Sequence, residues 1–107
     1  MDNKTQYVFM VNDIQYTNNV IQQWLISNGF TYIDKDGSQY YQAGDGFFVA
    51  KRFFQYVFNG NQLIIYAYWK SHKKPKPLKD QFYGWAVILA YKNQLEQLFQ
   101  ILGVQYS

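Results

Sequence analysis

Residues 51–69 read KRFFQYVFNGNQLIIYAYW, two apolar stretches of period 2 on either side of an Asn-Gly pair, and their parity decides how this chain folds. Asn59-Gly60 favours the left-handed backbone of a tight hairpin turn. With that turn, Phe54, Tyr56 and Phe58 share a face with Leu63, Ile65, Ala67 and Trp69, and a four-residue loop from Asn59 to Gln62 keeps the same parity. This face is the expected core. The opposite face carries Lys51, Phe53, Gln55, Val57, Gln62, Ile64, Tyr66 and Tyr68. That composition is too apolar for plain solvent and too polar for an ordinary interior, so either another element covers it or a partner does.

Upstream of this hairpin, residues 6–11 have strand composition, with Val8 and Met10 on one face and Tyr7, Phe9 and Val11 on the other. Asn12-Asp13 breaks the pattern. Thr17 or Asn18 is the expected cap of a helix with the stripe Val20, Ile21, Trp24 and Leu25, stapled by Tyr16 and stopped at Asn28-Gly29. Tyr32-Ile33 and Gln39-Tyr40-Tyr41 flank the polar turn residues Asp34-Lys35-Asp36-Gly37 as a short hairpin, and Gly44-Asp45-Gly46 makes the next turn.

Downstream of Trp69, Lys70 to Lys79 holds Pro75 and Pro77, which exclude helix interior and central strand and predict a loop. Residues 83–90 then form an apolar run short enough for a buried strand, with a helical turn as the alternative. Asn93 is the expected cap of the last helix, with Glu96 at the capping-box position, the stripe Leu95, Leu98, Phe99 and Leu102, and Gly103 as its end. The order of strand, helix, four or five strands, helix predicts an α+β fold. Its expected form is a single antiparallel sheet of about five or six strands with two helices on one face, residues 1–107 making one domain.

Composition narrows the chemistry. A chain of 107 residues buries roughly 65% of its unfolded surface, enough for one core without staples. It has no cysteine, which removes disulfides, thiolate zinc sites and thiol nucleophiles. No apolar run approaches the ~20 residues of a membrane span and the N-terminus opens no signal-peptide pattern, so the expected location is cytoplasmic. Aromatic residues make up 21% of the chain and charged residues 16%. The net charge of +3 is uneven, because Lys70, Lys73, Lys74, Lys76 and Lys79 are five of the ten basic residues and no acid interrupts them.

Certain phrases carry a resemblance. Trp24-Leu25-Ile26-Ser27-Asn28-Gly29-Phe30, Gly44-Asp45-Gly46-Phe47-Phe48 and Gly84-Trp85-Ala86 leading into Lys92-Asn93-Gln94-Leu95 resemble a small α+β domain of Gram-positive bacteria sometimes found beside a zinc ribbon. The ribbon is missing here, and such domains carry no assigned activity to transfer. The arrangement also resembles TATA-binding-protein-like helix-on-curved-sheet folds, which implies a fold and not a function.

Catalysis finds no footing in these residues. His72 is the only histidine, so no two-histidine metal site exists, and it lies in the basic segment. Asp34, Asp36 and Asp45 read as turn residues, since calcium-loop spacing is missing. Gly44-x-Gly46 lacks the third glycine and the following helix of a phosphate loop. No catalytic residue, metal site or cofactor is therefore expected.

Two surfaces remain. The face of Phe53, Val57, Ile64, Tyr66 and Tyr68 has the composition of a contact surface for another protein or a second copy of the chain, rich in aromatics and poor in acids. The lysines at 70, 73, 74, 76 and 79 lie between Tyr68-Trp69 and Phe82, Tyr83 and Trp85, cations beside stacking platforms as single-stranded nucleic acid uses them. The expected function is a non-catalytic binding module acting through the sheet face and the adjoining lysines. Nucleic acid binding is the alternative, and a small apolar ligand held between sheet and helix is a second.

Overall fold

Two glycine turns set the registers of the sheet. In this computed structural model, which describes residues 4–44, 51–71, 74–77 and 85–103, residues 70, 71, 74–77 and 85–87 are described through their backbone alone. The elements are β1 (Thr5–Met10), α1 (Ile14–Ser27), β2 (Thr31–Lys35), β3 (Ser38–Ala43), β4 (Lys51–Asn59), β5 (Gln62–Ser71), β6 (Lys74–Pro77) and α2 (Trp85–Leu102). The fold is α+β, with an antiparallel sheet in the order β1-β5-β4-β3-β2 and β6 paired to β5.

Asn59 pairs with Gln62, so the long hairpin turns on Gly60-Asn61, one residue later than Asn59-Gly60. Gly60 has φ 62° while Asn61 has no positive φ, the pattern of a type II′ turn with glycine at its first central position. The register is the one the four-residue loop gives, and the parity of the core face is kept. Asp36 and Gly37 have φ 54° and 78°, the two positive values of a type I′ turn, and they join Lys35 to Ser38.

Phe54, Leu63, Ile65 and Ala67 are fully buried and Trp69 nearly so, with Tyr56 and Phe58 packed against them. They meet Ile21, Trp24 and Leu25 of α1 and Ile88, Tyr91, Leu95, Leu98 and Phe99 of α2 in one cluster. Ring contacts knit the layers: Trp24 lies 5.2 Å from Phe54, Phe30 6.0 Å from Tyr91, and Phe9 4.8 Å from Phe99.

Helix α1 starts earlier than Thr17. Asp13, extended at φ −134°, accepts a hydrogen bond from the Tyr16 N–H and so satisfies one of the unpaired donors of the first turn. Thr17 is buried inside the helix and Tyr16 is exposed, so the predicted staple does not form. At the other end Phe30 N–H reaches Leu25 O at 2.9 Å and Gly29 N–H reaches Ile26 O at 3.1 Å, a Schellman closure around Gly29 at φ 77°.

Helix α2 is continuous from Trp85 through Asn93, in place of an apolar strand followed by a capped helix. The stripe of Leu95, Leu98 and Leu102 extends backwards through Tyr91 and Ile88 at helical spacing, which leaves Asn93 exposed in mid-helix. Lys74–Pro77 is a strand and not part of a loop, pairing Tyr68 with Pro77 and Lys70 with Pro75. It follows β1 along the same side of β5, since β1 stops at Ala67. Pro75 and Pro77 are two residues apart, so their missing N–H groups share one edge and leave Lys74 and Lys76 to face β5.

Candidate binding face and interstrand cleft

Directly opposed residues share a face of the sheet, so the registers lay out its second face in rows. Met10, Gln62 and Asn59 form one row, Val8, Ile64 and Val57 the next, then Gln6, Tyr66 and Gln55, then Tyr68, Phe53 and Gln42. Phe53, Val57, Ile64, Tyr66 and Tyr68 thus lie together as their parity requires. Their exposure divides them. Phe53 and Tyr68 are only 7% and 8% exposed, stacked at 4.8 Å with Tyr40 set edge-on to Phe53. Those two rings are spent inside the protomer, and the open part of the face is the rest: Val57 is 50% exposed, Val8 46% and Met10 70%, with Ile64 and Tyr66 half-buried.

Lys4 completes this face. Its Nζ lies 5.1 Å from the Tyr68 ring and 5.9 Å from Tyr66, and it donates to Gln55 Oε1 at 2.8 Å. The sequence signal for it was the even numbering of Val8 and Met10, which Lys4 shares. Burial holds the Tyr68 phenol above its ordinary pKa, and neighbouring Tyr40 adds to the effect.

Between β3 and β4 the sheet opens. Their ladder pairs only Tyr41 with Phe54, Gln42 with Phe53 and Ala43 with Arg52. Beyond it, Gln55 Nε2 donates to the Gln39 carbonyl at 2.9 Å, a side chain taking a place that the ladder would have filled. The gap is a cleft of about 510 Å³ lined by Tyr40 and Tyr41 of β3, Tyr56, Val57 and Phe58 of β4, and Tyr66 of β5. On its helix side Gln22 Nε2 donates to the hydroxyls of Tyr41 at 2.9 Å and Tyr56 at 2.7 Å, and Tyr56 donates to Asn18 Oδ1 at 2.6 Å. Burial raises the Tyr56 pKa, the Gln22 bond opposes this, and Tyr41 adds to it.

The helices are tied to each other by a polar chain. Arg52 Nη1 donates to Gln94 Oε1 at 2.6 Å, Gln94 Nε2 to Asn28 Oδ1 at 3.0 Å, and Trp24 Nε1 to the Gln94 carbonyl at 3.0 Å. The Arg52 guanidinium lies 5.7 Å from the Phe30 ring centre. Its Nε and the Trp69 Nε1 opposite it are buried donors with no hydrogen-bond partner. Tyr91, fully buried, donates to the Phe53 carbonyl, and burial pushes its phenol well above the ordinary value against a lowering pull from Arg52.

Among the described residues, Trp24, Phe54, Tyr91 and Phe99 belong to the buried cluster between sheet and helices, the place expected for a small apolar ligand. Another groove, of about 400 Å³, opens between α1 and α2 beside Val20, Trp24 and Ile101. Among the described residues no group of three His, Cys, Asp or Glu side chains converges, and no helix is long and apolar enough to cross a membrane. His72, Asp45, Lys73, Lys79, Phe82 and Tyr83 lie outside the described residues, and Lys70, Lys74 and Lys76 are placed only as backbone in β5 and β6. Compared with known protein families, curated proteins and solved structures, the chain matches none, so its own surface chemistry carries the functional argument.

Proposed function

We propose that this chain is a non-catalytic binding module that contacts a protein, another chain or a second copy of itself, through the open part of the second sheet face. One observation carries the reading: both helices pack on the first face, while Val8, Ile64 and Val57 form an apolar row across three strands of the second, with Met10 in solvent beside it. A sheet face with such a row is a surface that association would dehydrate favourably. The polar residues around it are Gln6, Gln55, Asn59 and Gln62, with Lys4 the cation among them. Amides of this kind form a rim that hydrogen-bonds without strong desolvation cost. A nucleic acid would call for several cations beside the open row, where Lys4 lies; Lys51, paired with Lys70, stands at the far end of the same face, beyond the buried Phe53 and Tyr68.

The test is photo-crosslinking in cells from a reactive residue placed at Val57 or Met10, with Leu89 on the exposed side of α2 as control. The expected result is a discrete protein adduct from the two sheet positions that disappears in Ile64→Lys. Crosslinking no stronger from Val57 and Met10 than from Leu89 would remove the proposal. The adduct mass tells a second copy from another protein.

A further inference from the structure

The hairpin geometry says which backbone groups face the cleft between β3 and β4. A two-residue hairpin closes on a hydrogen-bonded pair, here Asn59 with Gln62, so Asn59, Val57 and Gln55 direct their N–H and C=O toward β5. Tyr56 and Phe58, alternating with them, direct theirs toward β3. The same rule applied to Lys35 and Ser38 turns Ser38 and Tyr40 toward β2, and Gln39 and Tyr41 toward β4. Tyr41 pairs with Phe54 accordingly. Gln39 and Tyr56 would be the next hydrogen-bonded pair, yet the ladder has ended and the Gln39 carbonyl accepts from the Gln55 side chain instead. The register therefore supplies no β3 partner for the N–H and C=O of Tyr56 or of Phe58, inside a sheet and beside a cleft of about 510 Å³.

We infer that this cleft takes an extended peptide segment of a partner protein, which adds to the edge of β4 as a strand. This deepens the protein-binding reading above and rests on it, since Val57 and Tyr66 belong to both surfaces. An extended chain presents N–H and C=O groups toward one side at every second residue, about 7 Å apart, which is the spacing from Tyr56 to Phe58. The edge from Gln55 to Asn59 is roughly 17 Å of strand, and the cleft volume falls in the range of ligand sites, about 300–1,000 Å³. Tyr40 and Tyr66 supply ring faces for the peptide's side chains. Lys4 is the cation at the cleft, whose described lining includes no acid, so an acidic side chain on the segment is accommodated and a basic one is not. A neutral sugar would also find rings and amides here, but it has no use for two backbone pairs at strand spacing.

Random dodecapeptides displayed on phage, selected on the immobilised full chain, provide the probe. A selected peptide is expected to slow amide hydrogen exchange at Tyr56 and Phe58 by at least tenfold at saturation. Methylating its backbone nitrogens at one set of alternate positions should weaken binding at least tenfold, while methylating the other set changes it little. Failure to select any peptide, binding without protection of those two amides, or equal sensitivity to both methylation sets would each overturn strand addition. Because crosslinking from Val57 is read independently, strand addition can fail while the protein-binding face stands. If crosslinking fails as well, both readings fall.

Discussion

Replacing Tyr91 by Phe tests the buried phenol and the helix-to-sheet contact it makes. The ring is fully buried and its hydroxyl donates to the Phe53 carbonyl, so the variant keeps the shape and loses one hydrogen bond, at a cost of about 1 kcal/mol near neutral pH. Burial holds the Tyr91 pKa well above its ordinary value of 10.0. The phenol therefore stays protonated in the folded protein at a pH where the unfolded chain has released its proton. Stability from such a group is fully present below the unfolded value and falls as pH rises above it, until the folded value is reached. At pH 11 the unfolded state gains about 1.4 kcal/mol from ionising this one side chain, and the wild type is destabilised by that amount relative to neutral pH. Tyr91→Phe has no such proton to lose. The other tyrosines contribute alike to both proteins and cancel in the difference. Urea unfolding at pH 7 and at pH 11 should thus show the variant weaker by about 1 kcal/mol at the first and equal or slightly stronger at the second. A gap that stays constant or widens with pH would refute the argument, because it would mean that Tyr91 ionises in the fold as readily as in the unfolded chain.

Other substitutions separate the parts of the second face and the turns that frame it. Phe53→Ala should cost about 3–5 kcal/mol in urea unfolding, since the ring is buried against Tyr68 and Tyr40, whereas Val57→Lys should change stability by about 0.5 kcal/mol and abolish the proposed crosslink. Asp13→Ala should lower stability by about 1 kcal/mol through the lost cap of α1, read from the thermal midpoint. Gly60→Ala should cost about 1 kcal/mol although open space surrounds the position, because φ is 62° there and a Cβ strains that backbone.

The long hairpin was legible because side-chain parity survives an error in the turn: Gly60-Asn61 replaced Asn59-Gly60 and every inward residue stayed inward. The Asp36-Gly37 turn was legible for a local reason as well, two residues that tolerate positive φ. What failed was arbitration between competing local signals. Asn93 looked like a cap, yet Ile88 and Tyr91 continue the buried stripe, and tertiary burial outweighs a polar residue on the outer face of a helix. Thr17 and Asn18 were the expected caps of α1, yet Asp13, read only as a strand break, caps the helix and Thr17 lies buried within it. Pro75 and Pro77 ruled out a central strand but not an edge one, and β6 lies at an edge. The division of the second face between buried Phe53 and Tyr68 and open Val57 had no sequence signal, since it depends on Tyr40 and Lys4 arriving from other strands.

The cleft was beyond local reading for the same reason, because nothing in β3 alone says where its pairing with β4 will stop. Yet the parity that sorted side chains also sorts backbone edges, and in β4 the two sortings coincide. Tyr56 and Phe58 send their rings to the core face and their N–H and C=O groups toward the cleft. The Tyr56 hydroxyl is held by Gln22 and Asn18 of α1, and its ring is stacked on Tyr41, so α1 fixes the position of the very residue whose backbone faces the gap. A strand added at this edge would meet backbone groups already set in place by the core, with little conformational freedom left to lose there on binding. Loosening that anchor by Asn18→Ala should therefore weaken a selected peptide more than it lowers stability, seen as a loss of affinity at a nearly unchanged unfolding midpoint. A variant that loses stability and keeps its affinity would show that the edge is not preset by α1.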